Sequence, residues 1–149
     1  MADARLRVFD LAQPLGDQTP VYPGDPRVRL RVAKTLRDDG FALERLSLGT
    51  HSGTHVDAPA HALHVARGTI ADYRADHFIG PCVVADLRQK GDDDEILPED
   101  LEPCRDLLEP GDILLLATGW SRFRGVDAAR WLHHSPYLTE AGAEWVCAR

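Results

Sequence analysis

Cysteine is scarce in this chain of 149 residues, with only Cys82, Cys104 and Cys147 present. They are odd in number, far apart and without a CxxC pair, which fits a reducing compartment rather than a disulfide framework. Cys82 and Cys104 sit in apolar-flanked segments with no histidine paired to either, so a cysteine nucleophile is set aside. An apolar leader is missing too: the first residues, Met1-Ala-Asp-Ala-Arg-Leu6, lack the hydrophobic stretch of a signal peptide. No run approaches membrane-spanning length, and a cytoplasmic location is expected. Basic runs are also absent. Seventeen Lys+Arg stand against 24 Asp+Glu, a net charge of -7, which leaves no footprint for a phosphate backbone or an anionic membrane. Repeats, low-complexity tracts and linkers do not occur.

What is there, at 44% hydrophobic and 28% charged, has enough material for one core, and residues 1–149 are expected to form a single mixed α/β domain. Residues 5–11, 28–32 and 43–48 alternate like half-buried strands. Pro14, Pro20, Pro23, Gly24 and Pro26 make a stiff loop between the first two. Residues 62–66 have helical composition until Gly68 breaks it. Residues 82–87 and 113–117 read as buried strands, and 98–108 as a short helix despite Pro103. The acidic run Asp92-Asp-Asp-Glu95 reads as a solvated loop, since it lacks the spaced ligands and glycine of an EF-hand.

The informative segment is His51-Ser-Gly-Thr-His55-Val-Asp57-Ala-Pro-Ala-His61. Gly53, Pro59 and the β-branched Thr50, Thr54 and Val56 argue against a helix, so the segment is expected to be an extended strand or turn. If extended, residues at every second position share a face, and His51, His55, Asp57 and His61 point into one space. Two imidazoles and a carboxylate suit Zn, Mn, Fe(II) or Co, and three protein ligands leave room for water. An ion so held can bring the pKa of water from 15.7 to about 7 and polarise a carbonyl oxygen. His61, one step further along, is the candidate proton shuttle. A lone HxxxH pair would more often be surface or filler; Asp57 and His61 in register, with Gly53 and Pro59 shaping the chain, make the metal reading the stronger one. Among the other histidines, His64 suits a supporting or a surface role, His77 a structural one, and the adjacent His133 and His134 are left outside the site.

This segment resembles the HxGTHxDxPxH signature of the metal-dependent cyclase family, which includes bacterial kynurenine formamidases and is related to isatin hydrolases. FDLAQPL at 9–15 is similar to the family's opening strand, and PVYPGD at 20–25 to its PxWPGD or PxYPGD loop. GPCVVAD at 80–86, PGDILLLATGW at 110–120 and SPYLTEAGAEW at 135–145 resemble further blocks, in the expected order. The resemblance implies a swivelling β/β/α fold, His51, His55 and Asp57 as metal ligands, His61 as catalytic acid/base, and Tyr22 near the substrate pocket, where formamidases tend to have tryptophan. Ala12 departs from a serine common in the opening strand. Family members also continue past residue 149, with a stretch that normally supplies another histidine and a glutamate to the metal centre.

The chain's own pattern agrees about its end. Thr139 is placed to cap a helix from Glu140, and the sequence then stops without a Gly or Asn cap or a following strand. An incomplete domain is expected, with an open metal site and reduced activity. Exposed apolar surface should then favour a homo-oligomer. The expected function is a metal-dependent hydrolase of a small amide, arylformamidase-like, using zinc or else manganese. The alternatives are isatin-hydrolase-like ring opening and a metal-binding module without catalysis.

Overall fold

The structure is a computed structural model that describes residues 8–64 and 68–148. It divides into two compact units, Met1–Asp57 and Ala58–Arg149.

The first unit is built on a β-hairpin. Strand β1 (Arg29–Lys34) pairs antiparallel with β2 (Leu43–Ser47), as the alternation of apolar and charged residues predicts. The pairing sets Leu30 opposite Leu46 on one face and Arg31 opposite Arg45 on the other, with an irregularity between Val32 and Lys34. A one-turn helix, α1 (Leu36–Asp39), joins the strands: the Thr35 hydroxyl accepts from the Asp38 N–H at 3.1 Å, and Gly40 closes the turn at φ 78. Val28 is the one buried apolar side chain among the described residues of this unit, beside buried Thr19 and Ser52.

The strand expected over residues 5–11 is not found. Its first three residues lie outside the described set, and residues 8–11 are irregular. The Asp10 carboxylate accepts from the Ala12 N–H at 2.9 Å, a local turn that competes with strand pairing.

The second unit holds the core. Strands β3 (Cys82–Asp86) and β5 (Ile113–Ala117) run parallel in register, Cys82 opposite Ile113 through Asp86 opposite Ala117. The short β4 (Glu95–Ile96) and β6 (Tyr137–Leu138) form a second parallel pair. Helix α2 (Pro98–Leu101) gives way at once to 3₁₀ turns over Glu102–Leu107. Pro103 is the reason: it has no N–H to donate back, and its ring obstructs a continued α-helix. Helix α3 (Ala128–His133) was not anticipated; Asp127 caps it by accepting from the Arg130 N–H at 3.0 Å. Helix α4 (Glu140–Cys147) starts where expected, with the Thr139 hydroxyl accepting from the Gly142 N–H at 3.1 Å. Ala85, Leu87, Ile96, Leu101, Cys104 and Trp145 make one buried cluster. The Trp145 indole N–H donates to Glu102 at 2.7 Å. Gly142 lies so close to β4 and β6 that a Cβ there would meet the Ile96 carbonyl and a Leu138 methyl at 2.8 Å.

Two more expectations are corrected, and a third is extended. The helix over 62–66 is only a 3₁₀ turn, Pro59–His61, extended by a bond from the Leu63 N–H to the Pro59 carbonyl at 2.9 Å; residues 65 and 66 lie outside the described set. The Ala60 N–H goes instead to the Gly68 carbonyl at 3.0 Å. Strands β3 and β5 are less covered than buried strands: β5 is half-buried throughout, and in β3 only Ala85 is buried. The acidic run is exposed, as expected, and its side chains have partners. Asp92 binds Arg130 at 2.6 Å, Asp93 binds His134 at 2.8 Å, and Glu95 accepts from the Tyr137 hydroxyl at 3.1 Å, which holds the run against α3 and β6.

Candidate metal centre

The chain leaves β2 through Leu48-Gly49 and turns sharply over residues 51–54 before running extended to Asp57. Gly53 makes the turn possible. Its φ of 68 lies in the left-handed region, and a Cβ there would stand 3.1 Å from a Leu15 methyl carbon. The turn is tied down by the Gln13 N–H donating to the Thr54 hydroxyl at 3.0 Å, and Ser52 beneath it is buried.

This turn brings three acceptor atoms together. His51 Nδ1 lies 2.8 Å from Asp57 Oδ1 and 3.3 Å from His55 Nε2, and His55 Nε2 lies 3.4 Å from Asp57 Oδ1. The two imidazoles are half-buried and the carboxylate is more open. His55 Nδ1 stands 2.9 Å from the Gly53 carbonyl, so it carries the proton that this acceptor requires, and Nε2 is left with its lone pair toward the group. His51 approaches edge-on to His55, the ring centroids 5.2 Å apart and the planes at 77°, so both nitrogens are aimed inward without stacking.

Donor chemistry and spacing both fit a cation. Ligands about 2.0–2.2 Å from an ion stand roughly 2.8–3.6 Å from each other in octahedral or tetrahedral arrangement. All three sides of the observed triangle fall in that range, the shortest, at 2.8 Å, being also a hydrogen-bond length. Exposure of Asp57, at 54%, leaves a side from which water or substrate can reach the group.

Three of the sequence-predicted site residues are thus brought together, by a turn and not by shared strand parity. His61 closes the 3₁₀ turn that opens the second unit, four residues beyond Asp57, and is exposed. Tyr22 is 65% exposed and starts a tight turn in which the Asp25 N–H donates to its carbonyl at 3.0 Å. His77 packs on Tyr73 and Phe78, in keeping with a structural role, and His134 is engaged by Asp93. Sequence reasoning missed the carbonyl of Gly53 as the partner of His55 and the hydroxyl of Thr54 as the anchor of the turn. The HSGTH spacing carried the first signal, since Gly53 lies two residues before His55; the partner of Thr54, at Gln13, had none.

Short two-stranded sheets, one antiparallel and two parallel, with short helices between them place this chain among mixed α/β proteins. The family described as "Putative cyclase" matches residues 9–149, and the chain belongs to that family. A kynurenine formamidase of Erythrobacter litoralis (strain HTCC2594) is 38% identical over 90 residues, covering 57% of this chain and 39% of that protein. A kynurenine formamidase of Maricaulis maris (strain MCS10) is 32% identical over 97 residues, 64% of this chain and 45% of the relative. The chain therefore spans less than half the length of these curated relatives. Among solved structures, an isatin hydrolase bound to the product analogue thioisatinate superposes with a TM-score of 0.82 at 24% identity, over 94% of this chain and 62% of that one. Isatin hydrolase A from Labrenzia aggregata gives a TM-score of 0.77 at 28% identity over the same shares. The mixed α/β fold expected from sequence is the fold of these cyclase-family structures. No helix among the described residues is long and apolar enough to cross a membrane.

Proposed function

We propose that this chain is a metal-dependent hydrolase of a small amide, with an aryl formamide as its substrate class. The observation that carries the reading is the convergence of His51 Nδ1, His55 Nε2 and Asp57 Oδ1 within 3.4 Å, with His55 fixed in the ligating tautomer by the Gly53 carbonyl. The formamidase relatives support the substrate class. When bound, a divalent transition ion, zinc or else manganese, supplies Lewis acidity to a carbonyl and brings water toward deprotonation near neutral pH.

The chain's own residues do the rest. His51, His55 and Asp57 hold the ion and fix its open side. His61 moves the proton: it returns to the leaving nitrogen what the attacking water gives up, a role typically worth roughly 10²–10⁴-fold in rate. Tyr22 lines the substrate side, offering an aromatic face to an aryl group. A second reading, ring opening of a cyclic amide, draws support from the 28% identity to isatin hydrolase A; the same residues serve, since that reaction also adds water across an amide bond. A metal-binding module without catalysis is the third. The protein acts as a homo-oligomer, supported by the apolar residues that the hairpin leaves open, Val32 at 67% and Leu46 at 50% exposure. Light scattering checks this, and a stable monomer at micromolar concentration counts against it.

The deciding experiment compares metal content and turnover of an aryl formamide and of isatin in wild type, His55→Ala and His61→Ala. The expected result is metal lost in His55→Ala, and metal retained but rate lost in His61→Ala. Equal metal in wild type and His55→Ala removes the assigned ligand set. Metal without turnover of either substrate in the wild type leaves the binding module.

A further inference from the structure

Strands β3 and β5 end together, Asp86 opposite Ala117, and both following loops leave at the carboxyl ends of a parallel pair. That is where open α/β sheets bind ligands. The two loops and the start of α3 place three arginines around two aromatic rings there. Arg122 stands with its guanidinium carbon 4.7 Å from the Phe123 ring centre and 5.8 Å from that of Trp120. Arg130 stands 4.0 and 5.5 Å from the same two. Arg88 joins them beside Gly119, where a Cβ would meet an Arg122 nitrogen at 3.3 Å and the Arg88 Cγ at 3.4 Å.

Two of the three arginines are paired and the third is not. Asp86 grips Arg88 through contacts of 2.7 and 2.5 Å, and its carboxyl, held down to about 2 by that guanidinium, stays ionised. Asp92 grips Arg130 at 2.7 and 2.6 Å, and Asp127 accepts from a backbone N–H at the amino end of α3. Arg122 is exposed and makes no ion pair among the described residues. Trp120 adds a second observation. Only 5% of it is exposed, and its indole N–H, fully covered, has no acceptor among the described residues. An orphan donor inside a protein is rare and marks a group that something else satisfies.

We infer that the cluster of Arg122, Trp120 and Phe123 at the carboxyl ends of β3 and β5 is a binding site for a small organic carboxylate. The guanidinium supplies a planar fork that matches two carboxylate oxygens, and the unsatisfied indole N–H of Trp120 is a further donor beside it. The carboxylates of Asp86, Asp92 and Asp127 around the arginines disfavour a phosphate dianion more than a monoanion. Phe123 gives an apolar wall for the organic part. The site lies wholly within the second unit and stands independently of the metal reading.

Titration of the ¹⁵N-labelled full chain tests this, following the Trp120 indole N–H resonance, assigned with Trp120→Phe, against benzoate and separately against inorganic phosphate. Benzoate is expected to shift that resonance saturably. Arg122→Gln should weaken it by about 10-fold or more with the melting temperature unchanged, and Arg122→Lys, which keeps the charge but loses the fork, by less. A shift that does not saturate, equal affinity in Arg122→Gln, or phosphate binding tighter than benzoate overturns the assignment. So does loss of the benzoate response in His55→Ala, which would put the ligand on the metal group instead.

Discussion

Leu101, in the second unit, is wholly buried, while Leu46, on the hairpin of the first, is half exposed, although both are leucines in regular structure. Leu101 belongs to a cluster that includes Leu87, Ile96 and Trp145, whereas Leu46 faces Leu30 across one strand pair. A two-stranded hairpin is marginal in water by itself. The unit that carries His51, His55 and Asp57 is therefore the one with the least core of its own. The ligand turn is held by local devices, a left-handed glycine and side chain to backbone bonds, in place of apolar burial.

That contrast predicts the largest effect. Leu101→Ala should lower unfolding free energy by about 2–5 kcal/mol, by lost burial and a residual cavity, and Leu46→Ala by no more than about 0.5 kcal/mol. Chemical denaturation of both variants measures the pair. If Leu46→Ala costs as much as Leu101→Ala, the hairpin face is covered in solution, and the comparison between the units breaks.

How much of this could be read from sequence divides along the same line. The hairpin strands, β5 and α4 were legible because each is signalled within a few residues: alternation at 29–34 and 43–47, five apolar residues at 113–117, and Thr139 before Glu140. The grouping of His51, His55 and Asp57 was legible because they lie within seven residues, so one turn suffices to gather them. What was missed depends on distant partners. The exposed acidic run gave no sign that Arg130 and His134, 38 and 41 residues away, pair with it. Helix α3 has no apolar period long enough to announce it. Of the two shapes expected for the segment, extended strand or turn, the structure has the turn at its start, because Gly53 at φ 68 folds the chain there.

Gly53 gives the next prediction, in the unit without a core. Gly53→Ala forces a side chain into the left-handed region at about 1–2 kcal/mol and crowds Leu15. It should also loosen the carbonyl that sets the His55 tautomer, and losing such outer support typically lowers metal affinity by about 10–100-fold. Competition with a chelating dye reads the affinity; an unchanged value would mean that the turn is not what aims His55.

In the packed unit a single cap should matter less. Thr139→Ala removes the acceptor for the Gly142 N–H and the donor to the Ile96 carbonyl, and is expected to lower stability by about 0.5–2 kcal/mol without moving metal affinity. A thermal melt and the same dye competition, run on one preparation, check both halves of that statement.

The smallest effect concerns pH and sharpens the contrast within the second unit. His134 sits at the surface against Asp93, whose hydrogen bond and charge raise its pKa above the ordinary 6.5, with Asp92 and Asp127 adding to the pull. A raised histidine pKa means that the folded state binds the proton more tightly than the unfolded chain does. The stabilisation is then complete below 6.5 and disappears as pH climbs through the folded value. The pair is exposed, so solvent screens it and the effect is small. His134→Asn keeps a donor for Asp93 but removes the titration, and the other six histidines are common to both proteins. The melting temperature of the wild type should exceed that of His134→Asn by more at about pH 6 than at about pH 8.5. A gap of the same size at both values would mean that the pair is too solvated to couple to folding, and that the acidic run is held on α3 and β6 by Asp92, Glu95 and the β4–β6 pairing without it.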